Sequence, residues 1–242
     1  MKKANDILSI ENLSFSYRSK KEETKVFQSL DFNLEKETIT VLMGESGSGK
    51  TTLFRLISGL SYPDSGKIYL KGKDITNDVP QTRQLALLFQ DPVLYPHLTV
   101  YQNIMMGLNY FGLKEDEKDI KVKKILALLK LTSRVNYKPR HLSGGEKEKV
   151  CLAKAFVREP PLLLLDEPFH SVDPLSKGPL FDILKQLKSE YHSTILMISH
   201  NFKEVSNFAD KIIILKSGKV YSEKTPLELA MSTDDYEKQF LA

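Results

Sequence analysis

Short apolar runs of strand length alternate with stretches of helical periodicity along this chain of 242 residues. Residues 162–165 are four consecutive leucines, a pattern typical of a strand buried on both faces inside a parallel sheet. Further strands are predicted over residues 7–17, 27–34, 38–43, 67–70, 85–89 and 194–198, and a hairpin joins 212–215 to 219–221. Strands interleaved with helices indicate an α/β fold.

Helical periodicity marks residues 52–57, 118–130, a segment that starts at 142–145, 174–190 and 202–209. Within 118–130, we expect an apolar face that comprises Ile120, Ile125, Leu128 and Leu129, opposite a lysine-rich face. Residues 18–25 are charged and are predicted to form a loop. The length suits one large domain with room for an inserted subdomain.

Composition narrows the class of protein only slightly. Hydrophobic residues make up 41%, and the longest apolar runs are far shorter than the ~20 residues that span a bilayer. The N-terminus lacks the apolar segment of a signal peptide, and the single cysteine, Cys151, fits a reducing compartment and helix packing. A net charge of +4 is weak support for a nucleic-acid or membrane-surface partner. We expect a soluble cytoplasmic protein without a nucleic-acid partner.

A phosphate-binding pattern follows the strand predicted over 38–43 and precedes a helix. Its residues are Gly44, Glu45, Ser46, Gly47, Ser48, Gly49, Lys50, Thr51 and Thr52. Glycines let the backbone curl around a polyphosphate, and the N-terminus of the next helix favours an anion. Lys50 is expected to reach the β- and γ-phosphates, and the Thr51 hydroxyl to hold Mg²⁺. The alternative is a simple Gly/Ser-rich turn.

Two carboxylates, Asp166 and Glu167, end the strand of four leucines. Beside a phosphate loop, Asp166 can hold Mg²⁺ and Glu167 can activate the attacking water. In the alternative interpretation, both residues merely cap the following segment. The carboxyl end of a sheet strand is also where open α/β sheets bind ligands.

Five further segments occur in the order typical of ATP-binding cassette (ABC) ATPases, and the chain resembles that family. The segment 142–146 (LSGGE) resembles the signature motif, with Ser143, Gly144 and Gly145; alone, it is also an ordinary helix cap. Gln90 resembles the Q-loop glutamine and His200 the switch histidine near the γ-phosphate. Ser171, Val172 and Asp173 resemble the D-loop. Tyr17 resembles the aromatic residue that stacks on adenine, although it could also belong to the core.

The resemblance implies a P-loop NTPase of ABC type, with a parallel-sheet core, an N-terminal antiparallel β part and an inserted helical subdomain. One domain over 1–242 would divide into a core of 1–90 and 159–242 and a helical signature subdomain of 91–158. It implies that ATP and Mg²⁺ are bound, with Thr51, Asp166 and Gln90 near the metal and Glu167, His200 and Gln90 as catalytic residues. Two copies would sandwich two ATP molecules, each copy lending Ser143, Gly144, Gly145 and Asp173 to the site of the other.

The resemblance further implies a subunit that powers solute transport through separate transmembrane permease subunits, at the inner face of the cell membrane. The stretch 90–100 together with 166–169 is similar to bacterial importers of small polar solutes, which use an extracytoplasmic solute-binding protein. Because the chain ends soon after Ala230, we expect no C-terminal regulatory domain. An exporter, a cell-envelope complex and a non-transport ABC ATPase remain alternatives, and the solute is not encoded in this sequence.

Three residues depart from the family pattern. Lys149 stands where an arginine is commoner, and it lacks the planar fork needed for a bidentate contact. His170 and Val172 stand in the D-loop region where small residues and leucine are commoner. We expect altered rates of hydrolysis rather than loss of activity.

Overall fold

The computed structural model describes residues 5–19, 22–89, 94–109, 112–170 and 172–241. Its strands are β1 Asp6–Arg18, β2 Glu23–Glu35, β3 Ile39–Met43, β4 Ser65–Leu70, β5 Lys73–Asp74, β6 Leu85–Leu88, β7 Leu162–Asp166, β8 Thr194–Ile198, β9 Lys211–Lys216 and β10 Lys219–Lys224. Its α-helices are α1 Lys50–Ser58, α2 Val100–Met105, α3 Glu115–Leu128, α4 Gly144–Phe156, α5 Pro174–Glu190, α6 Phe202–Val205, α7 Pro226–Ala230 and α8 Asp235–Lys238. Short 3₁₀ turns cover Pro80–Thr82, Met106–Leu108, Thr132–Arg134 and Pro139–His141.

Two sheets organise the chain. The first has the order β2-β1-β4-β5 and is antiparallel throughout. The second has the order β10-β9-β3-β8-β7-β6, in which β9, β3, β8, β7 and β6 are parallel and β10 pairs antiparallel with β9. The predicted α/β class, with an antiparallel N-terminal part beside a parallel core, is confirmed.

Side chains on opposite faces of the six-stranded sheet enter two different cores. Leu163 and Leu165 belong to a core shared with helices α2 to α5, whereas Leu162 and Leu164 belong to a core shared with α1 and the antiparallel sheet. Successive side chains of a strand point to opposite faces, so a strand covered on both sides must be apolar at every position. The four leucines are all 0% exposed, which confirms the prediction for residues 162–165.

Most predicted elements are present, and two match residue for residue, α5 and β8. The helix expected at 142–145 starts at Gly144, with Ser143 as its N-cap in a capping box with Glu146. The hairpin is present, and its turn consists of Ser217 and Gly218, both with positive φ. Two short helices, α7 and α8, were not predicted from the sequence.

Three sequence predictions are wrong. Residues 18–25 are not a loop throughout, because β2 begins at Glu23 and pairs with the end of β1, with Arg18 opposite Glu23. The helix expected over 202–209 ends at Val205. Ile120 is 66% exposed, because the buried face of α3 carries Val122, Ile125 and Leu126 instead. The division into a core and a helical subdomain of 91–158 stays a prediction.

Candidate functional site

The phosphate loop connects the buried strand β3 to helix α1, and glycine is required at two of its positions. A Cβ on Gly44 (φ 148°) would lie 2.3 Å from the carbonyl oxygen of Leu215 in β9. A Cβ on Gly49 (φ 106°), the N-cap of α1, would lie 2.9 Å from the ring of Phe27 in β2. Both contacts are far inside van der Waals distance, so the loop can fold against these strands only with glycine there.

A cavity of about 660 Å³ opens over this loop at the carboxyl ends of β3, β7 and β8. It brings together residues of the phosphate loop, the two carboxylates after β7, Tyr17 and His200. It adds Thr24, Val26 and Ile198, which no sequence motif indicated. The lining residues are Tyr17, Thr24, Val26, Gly44, Ser46, Gly47, Gly49, Lys50, Thr51, Thr52, Asp166, Glu167, Ile198 and His200. Of the predicted loop residues, Glu45 and Ser48 do not line it.

Lys50 lies over the loop. Its Nζ donates to the carbonyl oxygens of Gly44 and Glu45, each at 2.8 Å. Burial lowers the pKa of Lys50, and the nearby carboxylates of Glu167 and Asp166 oppose that change. The ammonium group is thus held at the loop, within electrostatic reach of both carboxylates.

Asp166 and Glu167 enter the cavity from the end of β7. Burial raises the pKa of Asp166, the neighbouring charge of Glu167 raises it further, and Lys50 acts in the opposite direction. The Glu167 carboxylate accepts at Oε1 from His200, whose Nδ1 is 3.2 Å away. The parallel pairing of β7 with β8, in which Asp166 is opposite Ile198, brings these side chains together from residues 33 apart in sequence.

The backbone at Glu167 is unusual, because φ there is +46°. A left-handed backbone at a residue other than glycine costs roughly 1–2 kcal/mol and persists where neighbouring structure imposes it. The amide of Glu167 donates to the carbonyl oxygen of Ile198 at 3.1 Å, which ties the bend to the adjacent strand. Such strain is concentrated at functional sites.

Tyr17 stands at the end of β1, at the rim of the cavity. Its side chain is 45% exposed and makes an edge contact with Phe15, with ring centroids 4.9 Å apart. Its Oη lies 3.3 Å from Thr52 Oγ1 at the start of α1. Of the two alternatives for Tyr17, the exposure disfavours the core.

The other predicted site residues lie elsewhere or outside the described residues. Ser143, Gly144 and Gly145 form the N-terminal end of α4, and Asp173 caps α5 by accepting from Ser176 N at 3.0 Å; none of the four lines the cavity. Gln90 and Ser171 fall outside the residues that the structure describes. Val172 is buried.

Two further cavities, of about 590 and 330 Å³, share Lys71, Glu159 and Pro161. They lie where β7 and β8 begin rather than where they end, since Pro161 precedes β7 and Thr194 opens β8. Ligands of open parallel sheets bind outside the carboxyl ends of the strands, which is the edge occupied by the 660 Å³ cavity.

The fold and this cavity define a P-loop nucleotide-binding protein of the ATP-binding cassette type. The profile of the family described as ABC transporter matches residues 27–170. The chain belongs to the ABC transporter family.

Three similar proteins are import ATP-binding proteins. One, for molybdate or tungstate in Pyrococcus abyssi, is 38% identical over 214 residues, covering 88% of this chain and 61% of the relative. One, for sulfate or thiosulfate in Synechococcus elongatus, is 39% identical over 83% of this chain and 58% of the relative. One, for spermidine or putrescine in Thermobifida fusca, is 35% identical over 92% of this chain and 58% of the relative. The chain thus spans about three fifths of the length of these relatives.

Two solved structures are also similar. An ATP-binding cassette of an ABC transporter superposes with a TM-score of 0.84 at 28% identity, covering 97% of this chain and 98% of that one. A dimeric ATP-binding cassette in a post-hydrolysis state, bound to ADP and Pi, superposes with a TM-score of 0.77 at 26% identity. This match covers 90% of this chain and 98% of that one. These TM-scores show that both structures share the overall fold of this chain.

Proposed function

We propose that this chain is the ATP-hydrolysing subunit of an importer of small polar solutes. One observation carries the proposal: the phosphate loop, the two carboxylates after β7 and His200 surround a single cavity. The chemistry of these groups is that of nucleoside triphosphate hydrolysis, in which positioning and electrostatic stabilisation do most of the catalytic work.

The loop and Lys50 bind the phosphates. The backbone N–H groups of the loop and the N-terminus of α1 supply a positive field, and the Lys50 ammonium adds a full charge. Lys50 donates to loop carbonyls, and a polyphosphate would offer it stronger, charged acceptors. Tyr17, exposed at the rim, offers a ring on which adenine stacks.

The donor set of the cavity fits Mg²⁺. Mg²⁺ favours oxygen ligands and uses one or two carboxylates together with substrate phosphates, and the Asp166 carboxylate and the Thr51 hydroxyl both line this cavity. We assign them as the protein ligands, with Gln90 as a third by family resemblance. When bound, the ion would neutralise charge on the phosphate oxygens.

Glu167 is the proposed general base. Its carboxylate lies beside the phosphate loop, where it can orient a water molecule and accept its proton. His200 holds Oε1 through its Nδ1, so the carboxylate is oriented before substrate arrives. By resemblance, Gln90 completes this set and His200 also approaches the γ-phosphate.

The site is completed by a second copy of this chain. Ser143, Gly144, Gly145 and Asp173 lie outside the cavity of their own chain, and Ser143 and Gly144 are exposed at the N-terminal end of α4. That helix end is a second anion-binding group, and a symmetric dimer would bring it to the partner's γ-phosphate. ATP binding would close the dimer and hydrolysis would open it.

The partners follow from the family. Among the described residues, no helix combines the length and the apolar character needed to cross a bilayer. We infer that separate permease subunits form the pathway, that an extracytoplasmic protein delivers the solute, and that this chain is bound to the cytoplasmic face of the membrane. The three relatives are named for the import of oxoanions or polyamines, which supports a small polar solute.

Glu167→Gln tests the reaction and the partners together. Glutamine keeps the shape of the side chain but cannot accept a proton, so hydrolysis should slow on the order of 10²–10⁴-fold while ATP still binds. Steady-state phosphate release and nucleotide binding measure the two effects. Near-normal turnover would remove Glu167 from the role of general base.

The same variant, held closed by ATP, should co-purify from solubilised membranes with a multi-spanning protein. Lys50→Ala, which lacks the phosphate-binding charge, is the control and should recover less of it. Recovery only with soluble proteins or ribosomes would contradict the transport role but leave the ATPase intact.

A further inference from the structure

A second histidine flanks the carboxylate of Glu167. His200 Nδ1 lies 3.2 Å from Oε1, and His170 Nδ1 lies 3.9 Å from Oε2. The two imidazole centroids are 6.2 Å apart. His200 matches a family motif, whereas His170 is one of the departures from the family pattern.

The backbone between the two groups fixes where His170 stands. Phe169 has φ +65° and is 1% exposed, with its ring in edge contact with Phe181 at 5.3 Å between centroids. Glu167 is itself left-handed and tied to Ile198. Two left-handed residues held by a buried ring and a strand hydrogen bond give the turn a defined shape. The position of His170 is therefore set by the turn, even though its own side chain is 56% exposed.

We propose that His170 is a second positioning residue for Glu167, a role that rests on the proposed function of Glu167 as the base. His200 restrains the carboxylate at one oxygen, and His170 restrains it at the other. At 3.9 Å, His170 Nδ1 lies beyond hydrogen-bond distance of Oε2, so this contact is weaker than that of His200. His170 orients the carboxylate and takes no proton from water.

Two restraints on one carboxylate are partly redundant. Removing the weaker one alone should lower kcat about threefold to tenfold and leave the KM for ATP unchanged, because small errors in the placement of a catalytic group slow the chemical step. Removing His170 when His200 is already absent should lower kcat further, since neither imidazole then restrains the carboxylate. Contacts that share one partner are expected to be non-additive in this way.

His170→Ala and His170→Asn are the decisive pair. The asparagine amide places an N–H donor near the position of the histidine Nδ1, so kcat should recover in His170→Asn and stay low in His170→Ala. A purely structural role for residue 170 would respond to the loss of a ring in both variants alike. Equal kcat in the two variants, whether low or natural, would overturn the proposal.

His192→Ala is the matched control. His192 is also exposed and also faces a glutamate, with Nδ1 3.3 Å from Glu37 Oε2, but it lies outside the 660 Å³ cavity, so kcat should not change. His170→Ala is also introduced into the His200→Ala protein, and ATP hydrolysis is followed in single-turnover experiments. In that background, His170→Ala should slow the single-turnover rate at least about tenfold. If His170→Ala slows hydrolysis equally in the presence and absence of His200, shared positioning of Glu167 is contradicted. If hydrolysis by His200→Ala is too slow to measure, the comparison of His170→Ala with His170→Asn decides. If Glu167→Gln hydrolyses ATP normally, the proposed function itself fails, which is a separate result.

Discussion

At the scale of single residues, the same physical cause, burial, acts differently on different side chains. Cys151 lies on α4, is 2% exposed, and has a pKa raised to about 12, first by burial and then by the charge of Glu148. Burial raises the pKa of Asp166 but lowers that of Lys50, because both shifts disfavour the charged form. Cys151 thus belongs to the core, which agrees with its predicted role in helix packing. Asp166 and Lys50 line the cavity instead.

Cys151 should resist thiol reagents in the folded protein. At pH 9, near the ordinary pKa of 9.0, an unfolded thiol is about half ionised, whereas a thiol with a pKa of about 12 is almost entirely protonated. The thiolate fraction at pH 9, and with it the rate of labelling, should therefore be about five hundredfold lower in the folded chain than in denaturant. Because the unfolded thiol loses its proton first, this group also lowers the free energy of unfolding as pH rises from 9 towards 12. Cys151→Ala gives the unlabelled baseline, and rapid labelling of the folded chain would contradict the prediction.

At the scale of elements, helix α1 is held at both ends. Its N-terminus is the phosphate loop, and its C-terminal carbonyls are bound by Arg83, which is 1% exposed. Arg83 Nη1 donates to Leu56 O at 2.6 Å and to Ile57 O at 2.7 Å, and its other nitrogens donate to Asp78 O and Thr76 O. Burial lowers the pKa of Arg83, but the planar guanidinium remains charged and complements the negative end of the helix. No sequence pattern indicated this residue.

Arg83→Met should lower the free energy of unfolding by about 3 kcal/mol or more, since the carbonyl oxygens of Ile57, Thr76 and Asp78 lose the guanidinium that donates to them. Arg83→Lys should lower the free energy of unfolding by less than Arg83→Met does, because its ammonium can donate to some of these carbonyls. It should still be less stable than the natural protein, because an ammonium cannot serve all of these carbonyls at once. Arg55→Met, in the last turn of the same helix but exposed, is the matched control and should change stability by no more than about 0.5 kcal/mol. Urea unfolding measures all three. A similar loss in Arg83→Met and Arg55→Met would show that Arg83 has no special role.

At the scale of the whole molecule, the proposed site is divided between two regions that one chain does not bring together. The phosphate loop, Asp166, Glu167 and His200 share a cavity, while the N-terminus of α4 lies outside it. Ser143 caps its own helix, accepting at Oγ from Glu146 N and donating its backbone N–H to Glu146 Oε2. In a dimer, the cavity of one chain and the N-terminus of α4 of the other would contact the same nucleotide.

A mixture of two inactive variants tests this arrangement. Ser143→Arg should block only the signature face, and Glu167→Gln only the catalytic face, so each alone should hydrolyse ATP very slowly. In a mixed dimer, the intact catalytic face of one chain meets the intact signature face of the other. Equal mixing should therefore restore about a quarter of natural activity, because about half of the dimers are mixed and each has one good site.

Ser143→Arg should bind ATP as a monomer, which checks that it is folded. Each variant mixed with natural chain gives the reference for dimer exchange. Mixing that restores no activity, despite exchange, would mean that each chain hydrolyses ATP within its own site.

Local sequence was sufficient for much of this protein. The four leucines of β7, the capping box at Ser143 and Glu146, the full extent of α5 and the glycine loop before α1 were predicted because period, capping and backbone freedom are properties of neighbouring residues. The resemblance to ABC ATPases likewise depended on short motifs. The buried faces of helices and the ends of strands were predicted least well, because contacts with other elements determine them. Examples are Ile120, which is exposed, and β2, which starts early because it pairs with β1.

Tertiary structure alone decided which of these residues meet. The pairing of β7 with β8 brings Glu167 to His200, and the left-handed backbone at Glu167 and Phe169 adds His170 to the same carboxylate. Arg83 became a helix cap only because the chain returns to the end of α1. Each of these contacts joins residues distant in sequence or depends on a strained turn that the surrounding core enforces. Neighbouring residues carry no information about such contacts, because their free energy comes from the packed fold.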